Sequence, residues 1–170
     1  MPGKKVLLVI APKNFRDEEL FHTKEELEKA GFQTSIASSS LSEAVGMLGG
    51  KAKPEILLEK AKAEDFDAVA FIGGGGAASY FNNRFALSLA QKFYNAGKIT
   101  AAICIAPVIL ANAGLLNGKK ATSFPSEENA LEDKGAAFTG NPVEADGLIV
   151  TAEGPKAARD FGKKIAQLLK

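Results

Sequence analysis

Ile99-Thr100-Ala101-Ala102-Ile103-Cys104-Ile105-Ala106-Pro107-Val108-Ile109-Leu110-Ala111-Asn112-Ala113 reads as an apolar strand running without a linker into a helix-like segment, with the chain's only cysteine, Cys104, at the join. A strand that feeds straight into a helix belongs to an α/β sheet. So tight a turn forces its pivot residue into a cramped backbone conformation and lifts the side chain clear of the sheet, above the positive end of the following helix. Both effects favour a thiolate, which makes Cys104 the candidate nucleophile. A lone cysteine in an apolar run also has a plainer description, a small buried hydrophobe, and the surrounding sequence has to decide between the two.

Two other segments bear on that choice. The run Gly73-Gly74-Gly75-Gly76 directly follows another apolar strand, Asp67-Ala68-Val69-Ala70-Phe71-Ile72. In a parallel sheet both the glycine run and Cys104 leave the carboxyl ends of their strands, the edge where such folds place their sites. Backbone N–H groups from this loop and from Ile105 would then form an oxyanion hole beside the sulfur. A dinucleotide fingerprint would follow the first strand and open a long helix, and a phosphate loop needs Gly-Lys-Ser/Thr; the run matches neither. A turn that is merely glycine-rich is the plainer alternative. The second segment is Phe15-Arg16-Asp17-Glu18-Glu19-Leu20, an acidic cluster at a helix start. Acidic residues in a first turn suit the helix dipole, but this helix also begins at the carboxyl edge of its strand, so one carboxylate is in range to cross the crevice toward Cys104. A carboxyl beside a thiolate has to be protonated or strongly hydrogen-bonded, and such a pair titrates as a unit.

Composition sets the frame. The 170 residues are 46% hydrophobic with a formal net charge of +1, the profile of one globular, soluble domain. A chain this long buries roughly 70% of its unfolded surface and needs no disulfide, and one cysteine forms none within the chain. A reducing, cytoplasmic setting is expected. Lys and Glu are interspersed, leaving no basic stripe for nucleic acid and no polybasic membrane anchor. Met1-Pro2-Gly3-Lys4-Lys5 leads straight into a strand with neither a signal-peptide core nor a membrane span.

Along the chain, strands at Val6 to Ala11, Gln33 to Ser38 and Asp67 to Ile72 alternate with helical stretches at Glu18 to Ala30 and Pro54 to Ala63. A helix over Arg84 to Ala96 ends at Gly97, and the helix after Cys104 stops at Gly114, both with the usual glycine punctuation. Further on are strand-like Lys119 to Ser123, a helix from Ser126 to Asp133 opened by Ser126, Ala136 to Thr139, and Gly147 to Thr151. The last helix starts at Pro155 and carries Ala158, Phe161, Ile165 and Leu168 on one face. The pattern predicts a flavodoxin-like three-layer α/β sandwich, a mostly parallel sheet with helices on both faces and a cysteine nucleophile elbow.

Ala102-Ile103-Cys104-Ile105-Ala106-Pro107, the Gly73 to Gly76 loop, Glu19 and Thr151-Ala152-Glu153-Gly154-Pro155 stand together in the order found in one family. The chain resembles the ThiJ/PfpI superfamily, of class I glutamine amidotransferase-like fold. Through Ala145-Asp146-Gly147-Leu148-Ile149-Val150-Thr151 it most resembles the branch containing the parkinsonism-associated deglycase. The likeness covers residues 1–170 as a single ThiJ/PfpI-like domain. It implies that Cys104 is the elbow nucleophile, that Glu19 hydrogen-bonds the sulfur, and that Gly75 and Ile105 supply the oxyanion N–H groups. Gly74, Phe124, Gly154 and Pro155 become the candidate pocket residues, and no metal or organic cofactor is expected. A homodimer or larger homo-oligomer is also implied, with Phe21 and His22 as interface candidates.

Two departures concern histidine. Ile105 follows the cysteine where protease-named members usually have His. The Thr-Thr-His-Pro type run of the deglycase branch is here Thr122-Ser123-Phe124-Pro125, and Phe124 moves no proton. His22, the only histidine, lies one turn after Glu19, as a helix-surface residue or one facing the site. A Cys-His-Glu triad therefore has no histidine to use. The resemblance implies a glutathione-independent enzyme acting on small reactive carbonyls, of glyoxalase or deglycase type, with slow turnover. The alternative is a redox-sensing, stress-protective protein acting through oxidation of Cys104. An intracellular cysteine protease fits least, because peptide hydrolysis needs a general acid for the leaving amine.

Overall fold

The computed structural model describes residues 3–170, so the expectation at Met1 and Pro2 lies outside the described residues. The first half of the chain forms β1 (Lys5–Val9), β2 (Lys13–Phe15), α1 (Asp17–Lys29), β3 (Gln33–Ser38), β4 (Ala44–Gly46), β5 (Lys51–Ala52), β6 (Ile56–Leu57) and β7 (Ala68–Phe71). The second half forms α2 (Arg84–Asn95), β8 (Ile99–Ile103), α3 (Pro107–Asn112), β9 (Lys120–Ala121), α4 (Glu128–Asp133), β10 (Ala137–Phe138), β11 (Val143–Asp146), β12 (Ile149–Ala152) and α5 (Ala158–Leu169). Among the described residues a seven-stranded sheet runs in the order β11-β12-β8-β7-β1-β3-β6. Every neighbouring pair is parallel except β11 with β12.

Alternation along the strands builds the two halves of the core, because successive strand residues point to opposite faces. Leu7, Val9, Val69, Phe71 and Ala102 face one side, with Leu89 and Phe93 of α2 and Ile109 of α3. Val6, Leu8, Ala68, Ala70, Ala101 and Ile103 face the other, with Leu20 and Leu27 of α1 and Phe161 and Ile165 of α5. Both faces being covered, the central strands read as continuous apolar runs. The three-layer sandwich expected from the sequence is the observed architecture.

Three local expectations are corrected. Pro54 to Ala63 is not a helix: Ile56 and Leu57 extend the sheet beside β3, and the rest forms short 3₁₀ turns at Leu58–Lys60 and Ala63–Asp65. The Glu55 N–H donates to Ile36 O at 2.9 Å, so this segment covers β3 and leaves a strand of only two residues as the sheet edge. Ser126 does not cap its helix. A 3₁₀ turn at Pro125–Glu127 comes first, and Glu127 occupies the cap position without a side-chain hydrogen bond. The strand Val143–Asp146, to which the sequence reading assigned no element, pairs antiparallel with β12.

The glycine loop after β7 brings the start of α1 to the carboxyl edge of the sheet. Gly73 O accepts from the Arg16 N–H at 2.9 Å. Gly74 has φ +99°, and a Cβ there would strike the backbone at Asn14, Phe15 and Arg16. A Cβ on Gly76 would collide with Lys13 O and come within 2.8 Å of the Ala11 Cβ, whereas one on Gly75 meets nothing. Gly76→Ala is therefore expected to cost on the order of 2 kcal/mol, a Tm drop of roughly 4–8 °C by calorimetry. Gly75→Ala is expected to stay within about 0.5 kcal/mol. Equal effects at the two positions would contradict the backbone packing described.

Candidate active site

Cys104 sits at the end of β8 with φ 68°, one of two non-glycine residues among those described with positive φ. Both of its backbone groups are held: its N–H donates to Ala152 O at 2.9 Å on β12, and its carbonyl accepts from the Phe124 N–H at 2.7 Å. The Ala106 N–H donates back to Ile103 O at 3.1 Å, which closes the turn just before Pro107 opens α3. Left-handed backbone at a cysteine costs roughly 1–2 kcal/mol and persists only where surrounding contacts dictate it. This is the cramped elbow that the strand-to-helix junction predicts.

The three acidic residues opening α1 divide the work among them. Asp17 accepts from the Leu48 N–H at 2.8 Å and the Gly50 N–H at 2.7 Å, fastening the turn between β4 and β5 to the helix. Glu18 accepts from Arg16 Nε at 2.9 Å and Nη2 at 3.0 Å, and this pairing holds its carboxyl below the usual range. Glu19 is fully buried. Its Oε1 accepts from the Gly73 N–H at 2.9 Å, Oε2 has no hydrogen-bond partner among the described residues, and the carboxyl and the Cys104 side chain both abut the Cβ position of Gly73. Glu19, not Glu18, is thus the carboxyl beside the sulfur.

Burial pushes the Glu19 carboxyl up to about 8, outweighing the opposing pull of the neighbouring Cys104 thiol and the Gly73 N–H. A neutral Glu19 near pH 7 follows. The thiol differs from the depressed value that the elbow position suggests. Cys104 is only 7% exposed, and burial first, then the charge of an ionised Glu19, push it up, to about 12. The short six-residue α3 does not offset that desolvation. The contribution from Glu19 vanishes while the carboxyl keeps its proton, so the two groups titrate as one system.

The backbone N–H groups that reach the sulfur are those of Gly74 and Ile105. Gly75 is one residue further along the loop from that contact. A cavity of about 500 Å³ is lined by Phe124, Pro125, Gly154 and Pro155 with Arg16, Glu18, Glu153 and Lys156; Cys104 and Glu19 are not among its walls, and its link to the elbow is the Phe124 N–H on the Cys104 carbonyl. Three of the four predicted pocket residues line it, and Gly74 does not. Arg16 is a wall residue the sequence did not single out; its place beside Glu19 at the helix start was the available signal. His22 lines a neighbouring cavity of about 330 Å³ that shares Glu18, Pro155 and Lys156. Phe21 is half-exposed, and Val45, Met47 and Leu48 are exposed as well. Among the described residues no cluster of His, Cys, Asp and Glu has the makings of a metal site, and no helix is long and apolar enough to cross a membrane.

The sequence profile of the DJ-1/PfpI family matches residues 4–168. A Methanocaldococcus jannaschii protein is 41% identical over 172 residues, covering 99% of this chain and 84% of that protein. A Pyrococcus horikoshii protein named a deglycase is 32% identical over 166 residues, covering 98% of this chain and 99% of that one. Among solved structures, a ThiJ/PfpI domain protein from Brachyspira murdochii superposes with a TM-score of 0.96 at 33% identity, covering 99% and 98% of the two chains. Drosophila melanogaster DJ-1beta superposes with a TM-score of 0.89 at 29% identity, covering 98% of this chain and 90% of that one.

The raised Glu19 value has a consequence for stability. Because it lies above the ordinary 4.5, the stability tied to the neutral carboxyl is full below pH 4.5 and is lost as pH rises toward 8. Glu19→Gln, which never ionises, escapes that loss. The stability of the variant relative to the parent is expected to grow between pH 5 and pH 8 by on the order of a few kcal/mol, read from urea midpoints. A difference independent of pH would mean that Glu19 is ionised throughout.

Proposed function

The chain belongs to the DJ-1/PfpI family, and on that premise we propose that it is a cysteine-dependent enzyme acting on small reactive carbonyls without glutathione or a cofactor, with Cys104 as nucleophile and Glu19 as proton shuttle. The observation that carries the reading is the buried pair itself, a cysteine in left-handed backbone beside a carboxyl that burial keeps neutral. Relatives named deglycases support the same chemical class.

With an oxoaldehyde as substrate, sulfur attacks the aldehyde carbon as the thiol proton passes to one oxygen of the Glu19 carboxyl and the proton on its other oxygen moves toward the substrate oxygen. A C–S bond forms, the carbonyl π pair moves onto oxygen, and the alkoxide takes a proton from Glu19 to give a hemithioacetal. The developing oxyanion meets N–H groups of the glycine loop, Gly75 in the proposed assignment, and of Ile105. The same relay then isomerises the hemithioacetal: one Glu19 oxygen takes the proton of the former aldehyde carbon while the other gives its proton to the ketone oxygen, forming an enediol, and the carboxyl next returns a proton to the ketone carbon as it takes the proton of the hydroxyl on the former aldehyde carbon. The aldehyde carbon is thereby oxidised to a thioester and the ketone reduced to an alcohol. Water then cleaves the thioester, releasing a 2-hydroxy acid and the thiol. On a hemiaminal formed by such an aldehyde with an amine, a C–S bond forms as the C–N bond breaks, the thiol proton passes to Glu19, and the nitrogen leaves as the free amine with a proton from the same carboxyl.

Phe124 stands where a second acid/base would act, and slow turnover follows. The redox reading is favoured less by this geometry, because a thiol raised by burial offers little thiolate to a peroxide.

Lactate formed from methylglyoxal without glutathione is the test. The parent is expected to produce it slowly, Cys104→Ser not at all, and Glu19→Gln at least about 100-fold more slowly. Phe124→His is expected to exceed the parent. Equal consumption of methylglyoxal by the parent and Cys104→Ser would sink the proposal.

A further inference from the structure

Phe124 is 43% exposed and belongs to neither half of the core. One exposed phenyl ring needs no explanation in itself. What singles this one out is its attachment. Its N–H donates to the carbonyl of the nucleophile at 2.7 Å. Its ring lies against Gly154, where an added Cβ would sit 3.6 Å from Cδ1. With Pro125 and Pro155 it gives the 500 Å³ cavity an apolar wall. Cavities of roughly 300–1,000 Å³ accommodate drug-sized ligands, far more than a two- or three-carbon glyoxal fills.

The other walls are tied to the same point. Gly154 follows β12, whose Ala152 O accepts from the Cys104 N–H at 2.9 Å. The Arg16 N–H donates at 2.9 Å to Gly73, whose own Cβ position abuts the Cys104 Cβ. Glu18 engages Nε and Nη2 of Arg16, which leaves three of the five guanidinium N–H groups for a ligand oxygen. The cavity thus combines a flat apolar face with a charged rim of Arg16, Lys156, Glu18 and Glu153, and its Phe124 wall is hydrogen-bonded directly to the backbone of Cys104.

Building on the carbonyl chemistry proposed above, we propose that Phe124 is the specificity-determining residue of the site, selecting oxoaldehydes that carry a flat apolar or aromatic substituent over two- and three-carbon glyoxals. The substituent lies along the Phe124 ring and Pro155, and Arg16 holds the ketone oxygen. Ring-on-ring contact adds to the area buried, and a preference of about tenfold follows.

The test reads the cavity first and turnover second. Cys104 is alkylated with 2-bromoacetophenone or with iodoacetamide; in each case sulfur displaces halide from the α-carbon, forming C–S and releasing bromide or iodide. Each rate is divided by the rate of the same reagent with a free low-molecular-weight thiol. The normalised aryl preference is expected to be about tenfold in the parent, to fall toward one in Phe124→Ala, to fall in part in Phe124→Leu, and to persist in Phe85→Ala, an exposed ring elsewhere. Phenylglyoxal over methylglyoxal in kcat/KM is expected to follow the same order, mainly through KM. A parent ratio near one, or an undiminished ratio in both Phe124 variants, overturns the proposal. An aryl preference without turnover of either glyoxal would uphold the role of Phe124 while removing the enzymatic reading.

Discussion

The space that a side chain at Gly73 would fill is already taken. A Cβ there would lie 2.5 Å from the Cys104 Cβ, 2.5 Å from Glu19 Oε1 and 2.7 Å from Ile103 O. Because that position is empty, three chain segments distant in sequence converge: the end of β8, the first turn of α1 and the loop after β7. The Gly73 N–H fixes the Glu19 carboxyl and its carbonyl fixes Arg16. A thiol and a carboxyl are thereby pressed together away from water, and their protonation becomes a joint property. The elbow at Cys104 depends on this approach.

The site holds two unfavourable arrangements, a left-handed cysteine and a buried carboxyl with an unmatched oxygen. Each is sustained by its neighbours. Cys104 is bonded on both sides through Ala152 and Phe124, and Glu19 is carried on a helix whose first residue, Asp17, is itself fastened to the turn between β4 and β5. Burial that would be a defect in a structural carboxyl keeps Glu19 neutral near pH 7, the state able to donate a proton toward sulfur or alkoxide. The same burial raises the thiol, so reactivity has to come from transferring a proton within the pair rather than from a free thiolate.

Much of this was legible in the residues. Ile99 to Ile103 followed at once by Ala106 to Ala113 announced the elbow, and the bounds of β3, α2 and β8 came within a residue or two of the observed ones. Those elements carry their own periodicity and glycine stops. Pro54 to Ala63 misled because a pairing across the sheet edge, invisible in local sequence, overrode a weak helical pattern. The β11 strand alternates apolar and polar residues over only four positions, Val143 to Asp146, too short a run to stand out, and it depends on its partner β12. The choice of Glu19 over Glu18 turns on about 100° of helix rotation, which family resemblance supplied and periodicity did not. The direction of the Cys104 shift was misjudged from the elbow alone, since exposure of the sulfur depends on how closely Gly73 and Glu19 approach it.

The most direct measurement is the rate of Cys104 alkylation by iodoacetamide from pH 6 to pH 10, in the parent and in Glu19→Gln. A proton shared by the two side chains gives an inflection near pH 8 in the parent, where Glu19 titrates, and moves it to higher pH in the variant, which has no carboxyl to share a proton with sulfur. Identical curves, or an inflection at lower pH in Glu19→Gln as simple removal of a repelling charge would give, would contradict a shared proton and with it the proposed role of Glu19.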